Sequence, residues 1–257
     1  MRRLFCGSSC GLDGEVNVPS VILEAKAFSA GYTHKLFEPV DLSLSAGELV
    51  SLVGPNGVGK STLLKSFSGI LKPQSGTVTL CGIPLEDLSM RKRAQIIASV
   101  FTQERVPYGM TVREFVSLGR IPYSGLFDSR TAEDEAAIDD AIRNIQLEKF
   151  VDRSVLALSD GERSRVFIAR AIAAQPKILL FDEPTAFLDV PNILNLFRIL
   201  KKMAVERNLA VLLSTQHVDY ALRFSDKIIG FGGNGLVREA TPQEMTESGF
   251  LRWACVE

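Results

Sequence analysis

The sequence predicts an α/β fold with a mainly parallel sheet, an antiparallel β layer and an inserted helical subdomain. Three observations lead to this prediction. A glycine-rich loop at 54–62 separates an apolar, β-prone segment from a helical pattern. Two short alternating segments, at 21–28 and 40–44, precede that loop. A mostly helical stretch at about 88–160 then interrupts the later strands.

Length and composition limit the possible classes of protein. With 257 residues, 46% of them hydrophobic, the chain can form one α/β domain with a lobe inserted in it. The formal net charge of −1 gives no general basic field, so we expect no nucleic-acid partner. The sequence has no uninterrupted apolar run of about 18 residues, so we do not expect it to span a membrane by itself.

The two ends of the sequence are interpreted as tails. Residues 1–20 are polar and glycine-rich after the first few positions and predict a loose segment, residues 21–250 predict the folded domain, and 251–257 a short C-terminal tail. Four cysteines show no metal-ligand spacing and are expected to be reduced thiols: Cys6, Cys10, Cys81 and Cys255.

Apolar or alternating segments predict the strands. In chain order they are 21–28, 40–44, 48–53, 77–81, 96–101, 178–183, 211–214, 227–231 and 236–240. We expect the first two to form the antiparallel layer and the last two to close the fold as a pair.

Helical patterns lie between these strands. The first begins near Lys60 and places on one face Leu63, Leu64, Phe67, Ile70 and Leu71. A basic run at 91–93 is interpreted as a solvated helix face. Residues 103–125 are rich in glycine and proline and predict an irregular segment. Thr131 and Asp134 have capping-box spacing, and the helix after them has one apolar face: Ile138, Ala141, Ile142 and Ile145.

The loop at 54–62 carries the strongest chemical signal. It matches G-x-x-x-x-G-K-[ST] through Gly54, Pro55, Asn56, Gly57, Val58, Gly59, Lys60, Ser61 and Thr62. Its glycines let successive backbone N–H groups point at an anion, and the following helix adds roughly half a positive charge at its N-terminus. Lys60 is expected to reach the β- and γ-phosphates, and Ser61 to bind Mg²⁺. The strand–loop–helix context favours a nucleoside triphosphate site over a plain glycine turn.

Two further segments fit a phosphate-handling site. The apolar strand at 178–183 ends in Asp182 and Glu183, which suits a metal ligand and a residue that polarises water, because unpaired buried carboxylates are costly. Ser159 lies three residues before Glu162, again a capping-box spacing. A plain helix start explains that spacing, but Gly161 inside the helix indicates a close approach to its backbone, as a bound phosphate would make.

In this order and spacing, the motifs resemble those of the ATP-binding subunits of ABC transporters over nearly all of residues 21–250. The resemblance implies a P-loop NTPase (RecA-like) core, with ATP and Mg²⁺ as ligands. It implies that Tyr32 stacks on adenine, that Gln103 is the glutamine that contacts Mg²⁺ and couples to the membrane subunit, and that Asp182 binds the metal beside Ser61. Residues 158–162 are similar to the L-S-G-G-Q signature, with Asp160 and Glu162 as departures.

The resemblance also assigns the residues after the last buried strands. Residues 187–189, which end in Asp189, resemble the D-loop, and Glu183 takes the catalytic place. The family usually has Ser-Thr-His-Asp where this chain has Ser-Thr-Gln-His at 214–217. Either Gln216 occupies the switch position near γ-phosphate, or the loop shifts by one residue so that His217 does. We assign the role to His217, beside Glu183 and Gln103.

Residues 118–125 and 184–189 look like the importer branch for iron–siderophore complexes, haem and cobalamin. This implies an ATPase whose two copies enclose two ATP molecules, each between the phosphate loop of one copy and Ser159 and Gly161 of the other. It also implies integral membrane permease subunits as partners, a periplasmic or surface substrate-binding protein as an indirect partner, and a peripheral position on the cytoplasmic face of the inner (cell) membrane. Residues 103–125, with Gly119 and Arg120, are expected to contact the permease.

The alternative is an ABC ATPase of repair, translation or cluster assembly that works without transport. Repair members insert long heptad coiled coils, and translation members carry two such domains; this sequence shows neither. A binding module without activity is disfavoured by Glu183.

Overall fold

The computed structural model of the protein describes residues 20–102, 106–124, 130–186 and 188–251. The strands in these ranges are β1 Val21–Ser29, β2 Val40–Ser45, β3 Leu49–Val53, β4 Ser75–Leu80, β5 Ile83–Pro84, β6 Ile97–Val100, β7 Ile178–Phe181, β8 Ala210–Thr215, β9 Lys227–Phe231 and β10 Val237–Ala240. The α-helices are α1 Lys60–Phe67, α2 Met90–Ile96, α3 Val112–Ser117, α4 Ala132–Asn144, α5 Asp160–Ala173, α6 Val190–Arg207, α7 Val218–Phe224 and α8 Pro242–Glu247.

The larger sheet of the described residues has the strand order β10-β9-β3-β8-β7-β6. Its neighbours pair in parallel except β10, which pairs antiparallel with β9. The central strands are apolar and buried along their length, as expected when helices or a second sheet cover both faces. The predicted mainly parallel sheet is confirmed.

Successive side chains of the central strands enter different cores, because neighbouring residues of a strand point to opposite faces. On one face, Leu179 and Phe181 pack with the helices α3 to α6. On the other face, Ile178 and Leu180 pack with α1 and the smaller sheet. That smaller sheet is antiparallel, with the order β2-β1-β4-β5, which confirms the predicted antiparallel layer.

Helix α1 is shorter than its apolar pattern predicts. It ends at Phe67, and Gly69 follows with φ +76°. The N–H of Ile70 donates to the carbonyl of Lys65 (2.9 Å) and that of Gly69 to Ser66 (3.1 Å), which is the Schellman pattern of a helix end. The prediction that Ile70 belongs to the apolar face was wrong, because its side chain is 67% exposed.

The basic run at 91–93 is more than a solvated face. The guanidinium of Arg91 donates to the carbonyls of Pro122 (2.8 Å) and Ser124 (2.9 Å), and Arg93 donates to the carbonyl of Gly69 (3.1 Å). Two of the three basic side chains therefore hold neighbouring loops in place.

The helical part of the molecule includes a helix that the sequence interpretation missed. α3 lies inside the segment predicted to be irregular, and it begins with a capping box between Thr111 and Glu114. Helices α3, α4 and α5 pack on one another through Phe115, Ile138 and Ile168, which are buried. β6 belongs to the larger sheet, although it lies within the predicted subdomain at 88–160. The limits of the subdomain remain a prediction.

Gly119 and Arg120 are interior residues, which contradicts their predicted place on a docking surface. Arg120 is 3% exposed, and its Nε donates to Asp134 Oδ1 at 2.8 Å. It also donates to the carbonyl of Ala173 and stacks on the ring of Tyr123. A side chain added at Gly119 would overlap the carbonyl of Arg170. Both residues connect α3 and α4 to the C-terminal end of α5.

Candidate active site

A cleft of ≈ 480 Å³ lies at the carboxyl ends of the parallel strands β3, β7 and β8. Segments that follow these strands meet there, as is usual for binding sites of open α/β sheets. The residues that line the cleft are Asn56, Gly57, Gly59, Lys60, Ser61, Thr62, Lys65, Phe101, Thr102, Asp182, Glu183 and Gln216.

The phosphate loop at 54–59 needs its glycines for two different reasons. Gly57 and Gly59 have φ of +80° and +113°, a region that favours glycine. Gly54 lies against Phe231, whose Cβ would be 2.6 Å from an added Cβ. No side chain caps the N-terminus of α1, which begins at the cleft immediately after the loop. An anion can bind at such an uncapped helix N-terminus, as the sequence predicts.

Lys60 lies at the base of the cleft and is 5% exposed. Its Nζ donates to the carbonyls of Gly54 (2.7 Å) and Pro55 (3.0 Å). Burial lowers the pKa of this ammonium, and the nearby carboxylates of Glu183 and Asp182 oppose that shift. The loop therefore satisfies the lysine with weak neutral acceptors that a phosphate can replace.

Asp182 and Ser61 form an oxygen pair suited to Mg²⁺. The Ser61 hydroxyl donates to Asp182 Oδ1 at 2.9 Å, which joins the start of α1 to the end of β7. Asp182 is 7% exposed and is also held through its carbonyl, which accepts from the Thr102 hydroxyl at 2.7 Å. Within the described ranges, no group of three or more His, Cys, Asp or Glu could hold a metal by itself. Mg²⁺ is often held by one or two protein oxygens and substrate phosphates, so this pair fits it.

Glu183 follows Asp182 with a backbone φ of +50°, which is unusual for a residue other than glycine. Its N–H donates to Ser214 Oγ at 2.8 Å. Its half-buried carboxylate lines the cleft and accepts from the amide of Gln216, with Nε2 at 3.3 and 3.4 Å from the two oxygens. The carboxylate therefore lies at the cleft, beside Gln216.

The structure brings Gln216, and not His217, to the lining of the cleft. His217 precedes α7 as its N-cap residue, and its backbone N–H donates to Thr215 Oγ1 at 3.1 Å. The His217 ring packs edge-on to Tyr220, with the centroids 6.1 Å apart.

Ser159, Gly161 and Asp189 lie at helix starts and do not line the cleft of their own chain. Ser159 caps α5 in a capping box, and its hydroxyl donates to Glu162 at 2.7 Å. The hydroxyl and N–H of Ser159 hold the pKa of Glu162 below its usual range. Asp189 caps α6 by accepting from the N–H of Asn192 at 3.2 Å.

Tyr32 is 62% exposed, and its hydroxyl accepts a hydrogen bond of 3.4 Å from Lys65, which lines the cleft. Its backbone is held by Gln74, whose amide donates to the Tyr32 carbonyl at 2.8 Å. The exposed ring therefore lies next to a residue that lines the cleft. Gln103 and Phe187 lie outside the described residues.

Sequence interpretation missed Thr102, Ser214 and Lys65. Thr102 and Ser214 follow or end apolar strands; Thr102 belongs to no motif, and the motif match at 214–217 gives Ser214 no role. Lys65 lies one helical turn after Ser61, so the helical period could have placed it beside the phosphate loop.

A family model described as "ABC transporter" matches residues 37–186. The chain is 36% identical to an uncharacterized ABC transporter ATP-binding protein of Methanocaldococcus jannaschii, over 87% of this chain and 78% of that protein. It is 32% identical to the iron(3+)-hydroxamate import ATP-binding protein FhuC of Bacillus subtilis, over 90% of this chain and 86% of that protein. A solved dimeric structure of a bacterial ABC transporter cassette superposes with TM-score 0.75 at 30% identity, covering 86% of this chain and 99% of that one.

In the described ranges, no helix combines the length and apolar character needed to cross a bilayer. The family model covers more than half of the chain, and the two relatives match it over most of its length. The chain belongs to the ABC transporter family, as one of its ATP-binding, ATP-hydrolysing subunits.

Proposed function

We propose that this chain hydrolyses ATP to energise an importer for iron–siderophore complexes, haem or cobalamin. The observation that carries the catalytic part is the convergence of Lys60, Ser61, Asp182 and Glu183 on one cleft. The hydroxamate-import name of the Bacillus relative supports the class of cargo. The importer-like residues at 118–125 and 184–189 support it independently.

ATP binding uses the phosphate loop and the residues after it. The γ- and β-phosphates accept from the N–H groups at the start of α1 and from Lys60, which exchanges its two loop carbonyls for phosphate oxygens. Ser61 and Asp182 would hold Mg²⁺, with Gln103 as a further ligand. When bound, Mg²⁺ neutralises charge that develops on the phosphate oxygens. Tyr32 stacks on the adenine.

Hydrolysis requires a water aligned with the γ-phosphorus. Glu183 accepts a hydrogen bond from this water and takes its proton as the new O–P bond forms. The bond from the γ-phosphorus to the oxygen that bridges the β- and γ-phosphates breaks, and ADP and inorganic phosphate result. We assign the switch role to Gln216, because its amide already contacts Glu183 and reaches the cleft. A glutamine amide donates a hydrogen bond there without the charge of an imidazolium.

The complete site requires a second copy of the chain. Ser159 and Gly161 do not line the cleft of their own chain, and the similar cassette of the solved structure is dimeric. Two copies arranged head to tail place Ser159 and Gly161 of one copy, with Asp189 beside them, against the ATP of the other. The Ser159 hydroxyl then gives up Glu162 as its acceptor in favour of phosphate.

The membrane partner is a permease, and the chain binds it at the cytoplasmic face as a peripheral subunit. With Gly119 and Arg120 buried, the docking surface consists of exposed residues of the same segment. Tyr108 is 97% exposed and Ile121 is 62% exposed, which suits a surface covered by another subunit. A substrate-binding protein on the other side of the membrane acts through the permease.

Purification of the full chain with its permease tests this function. In liposomes, the cargo with its binding protein should stimulate ATP hydrolysis, and Tyr108→Asp should reduce stimulation while basal hydrolysis is retained. Val205→Asp, an exposed apolar-to-acidic change on α6, is the control. Failure to bind any permease, with normal hydrolysis by the free chain, would favour the ABC ATPases that work without transport.

A further inference from the structure

Ser214 is a fully buried hydroxyl at the end of β8. β8 lies between β3, which leads into the phosphate loop, and β7, which leads into the acidic pair. The register places Leu213 opposite Phe181 and Ser214 opposite Leu52. Ser214 therefore lies beside the first residue after β7, at the centre of the catalytic edge of the sheet.

The Ser214 hydroxyl connects the two carboxylate residues. Its Oγ donates to Asp182 Oδ1 at 2.9 Å and accepts from the N–H of Glu183 at 2.8 Å. Ser61 donates to the same Asp182 oxygen at 2.9 Å. One hydroxyl therefore joins the side chain of the proposed metal ligand to the backbone of the proposed general base.

The backbone of Glu183 needs such a contact. A non-glycine residue at φ +50° is strained and persists only where its surroundings hold it. After Glu183, its carbonyl accepts from Ala186 at 3.0 Å, which closes the next turn. Before it, the N–H of Asp182 donates to Val100 at 2.9 Å. Ser214 Oγ is the acceptor for the peptide N–H of the strained residue itself.

We propose that Ser214 is a positioning residue for hydrolysis: through the N–H of Glu183 it directs the Glu183 carboxylate into the cleft. This inference rests on the proposed role of Glu183. Without the Ser214 hydroxyl, the Glu183 peptide can relax towards negative φ, which turns the carboxylate away from the γ-phosphate. The Ser214 hydroxyl bonds to the acidic pair and not to the phosphate loop, so ATP binding should be preserved.

A double-mutant cycle in the full-length chain tests the inference. Ser214→Ala should lower kcat by about tenfold or more, since small displacements of a catalytic group are costly, and leave the KM for ATP within about twofold. In a Glu183→Gln background, Ser214→Ala should lower the remaining kcat no further, because the residue acts through Glu183. The rates are measured at saturating Mg²⁺, so that loss of the hydrogen bond from Ser214 to Asp182 does not lower kcat through weaker Mg²⁺ binding.

Ser51→Ala is the matched control. Ser51 is also a fully buried serine of the same sheet, and its hydroxyl pairs with that of Ser225 at 2.6 Å. The Ser51→Ala variant should lose about as much thermal stability as the Ser214→Ala variant and keep the wild-type kcat. Equal kcat losses in the Ser51 and Ser214 variants would assign Ser214 a purely structural role and overturn the inference.

Two other outcomes separate this inference from the function it rests on. If Ser214→Ala lowers kcat equally with and without Glu183, Ser214 does not act through Glu183 and the inference fails alone. If Glu183→Gln itself hydrolyses ATP normally, the proposed general base is wrong and the inference falls with it.

Discussion

Lys60 Nζ is hydrogen-bonded to two carbonyls of its own loop, so the lysine must change partners to bind ATP. Lys60→Ala should weaken ATP binding by on the order of a hundredfold, because a buried cation on the β- and γ-phosphates is lost. Calorimetric titration with ATP measures this. Lys177→Ala, an exposed change at the opposite end of β7, should bind as the wild type does. Unchanged affinity in Lys60→Ala would remove the lysine from the phosphate site.

Single substitutions test whether Gln216 or His217 is the switch residue. Gln216→Ala should slow hydrolysis by about tenfold or more, because the amide that contacts Glu183 is lost, whereas His217→Ala should change it little. The pH–rate profile should lack a limb near pH ~6.5 from this position, since an amide does not titrate. Rates of both variants across pH decide the assignment. The reverse order of effects would return the role to His217.

Residue-level predictions from sequence are most specific where a motif specifies contacts in one short segment. Six of the nine residues at 54–62 line the cleft, and their roles in ATP binding stay predictions. The contacts of Ser214 and the left-handed backbone of Glu183 could not be predicted, because they depend on the register of β8 beside β7. The same register decides which of Gln216 and His217 reaches the cleft.

At the scale of elements, helix starts were predictable and helix ends less so. Thr131 and Ser159 both form the capping boxes that their spacing predicts. The same signal, Thr111 with Glu114, was present for α3 and was masked by the glycines and prolines around it. The end of α1 depends on the left-handed conformation of Gly69, which overrides the apolar residues that continue the pattern.

The buried Arg120–Asp134 pair should hold the helical elements together. Arg120→Ala should lower the free energy of unfolding by about 3–5 kcal/mol at pH 7, since it leaves Asp134 buried and unpaired. Urea unfolding followed by circular dichroism measures this. Arg113→Ala, which breaks pairs that are partly exposed, should cost about 1 kcal/mol or less. Similar losses in both variants would contradict the importance of the buried pair.

The same pair gives stability a pH dependence. Hydrogen bonds from Thr131 and then from Arg120 lower the pKa of Asp134 from 3.8 to about 2. Because the folded-state pKa is depressed, the stabilisation is complete above pH ~4 and is lost as pH falls towards 2. The difference in unfolding free energy between the wild type and Asp134→Asn should therefore narrow across this window. A constant difference from pH 5 to pH 2.5 would contradict the shift.

For the whole molecule, the arrangement of two sheets and a helical part could be predicted, because buried strands and turn residues were readable in sequence. The partners of Ser159 in catalysis could not be found in one chain, since its hydroxyl is occupied within its own capping box. We therefore propose that ATP brings two chains together and closes the pair, and that hydrolysis through Glu183 opens it.

Size-exclusion chromatography of Glu183→Gln tests that claim most directly. With Mg²⁺ and ATP, the variant should elute as a stable dimer. It should still bind ATP, but its hydrolysis should be slower than that of the wild type by on the order of a hundredfold or more. With ADP it should elute as a monomer, and Glu247→Gln, an exposed change on α8, should behave as the wild type does. A Glu183→Gln variant that stays monomeric with ATP, or that hydrolyses ATP at the wild-type rate, would contradict the account.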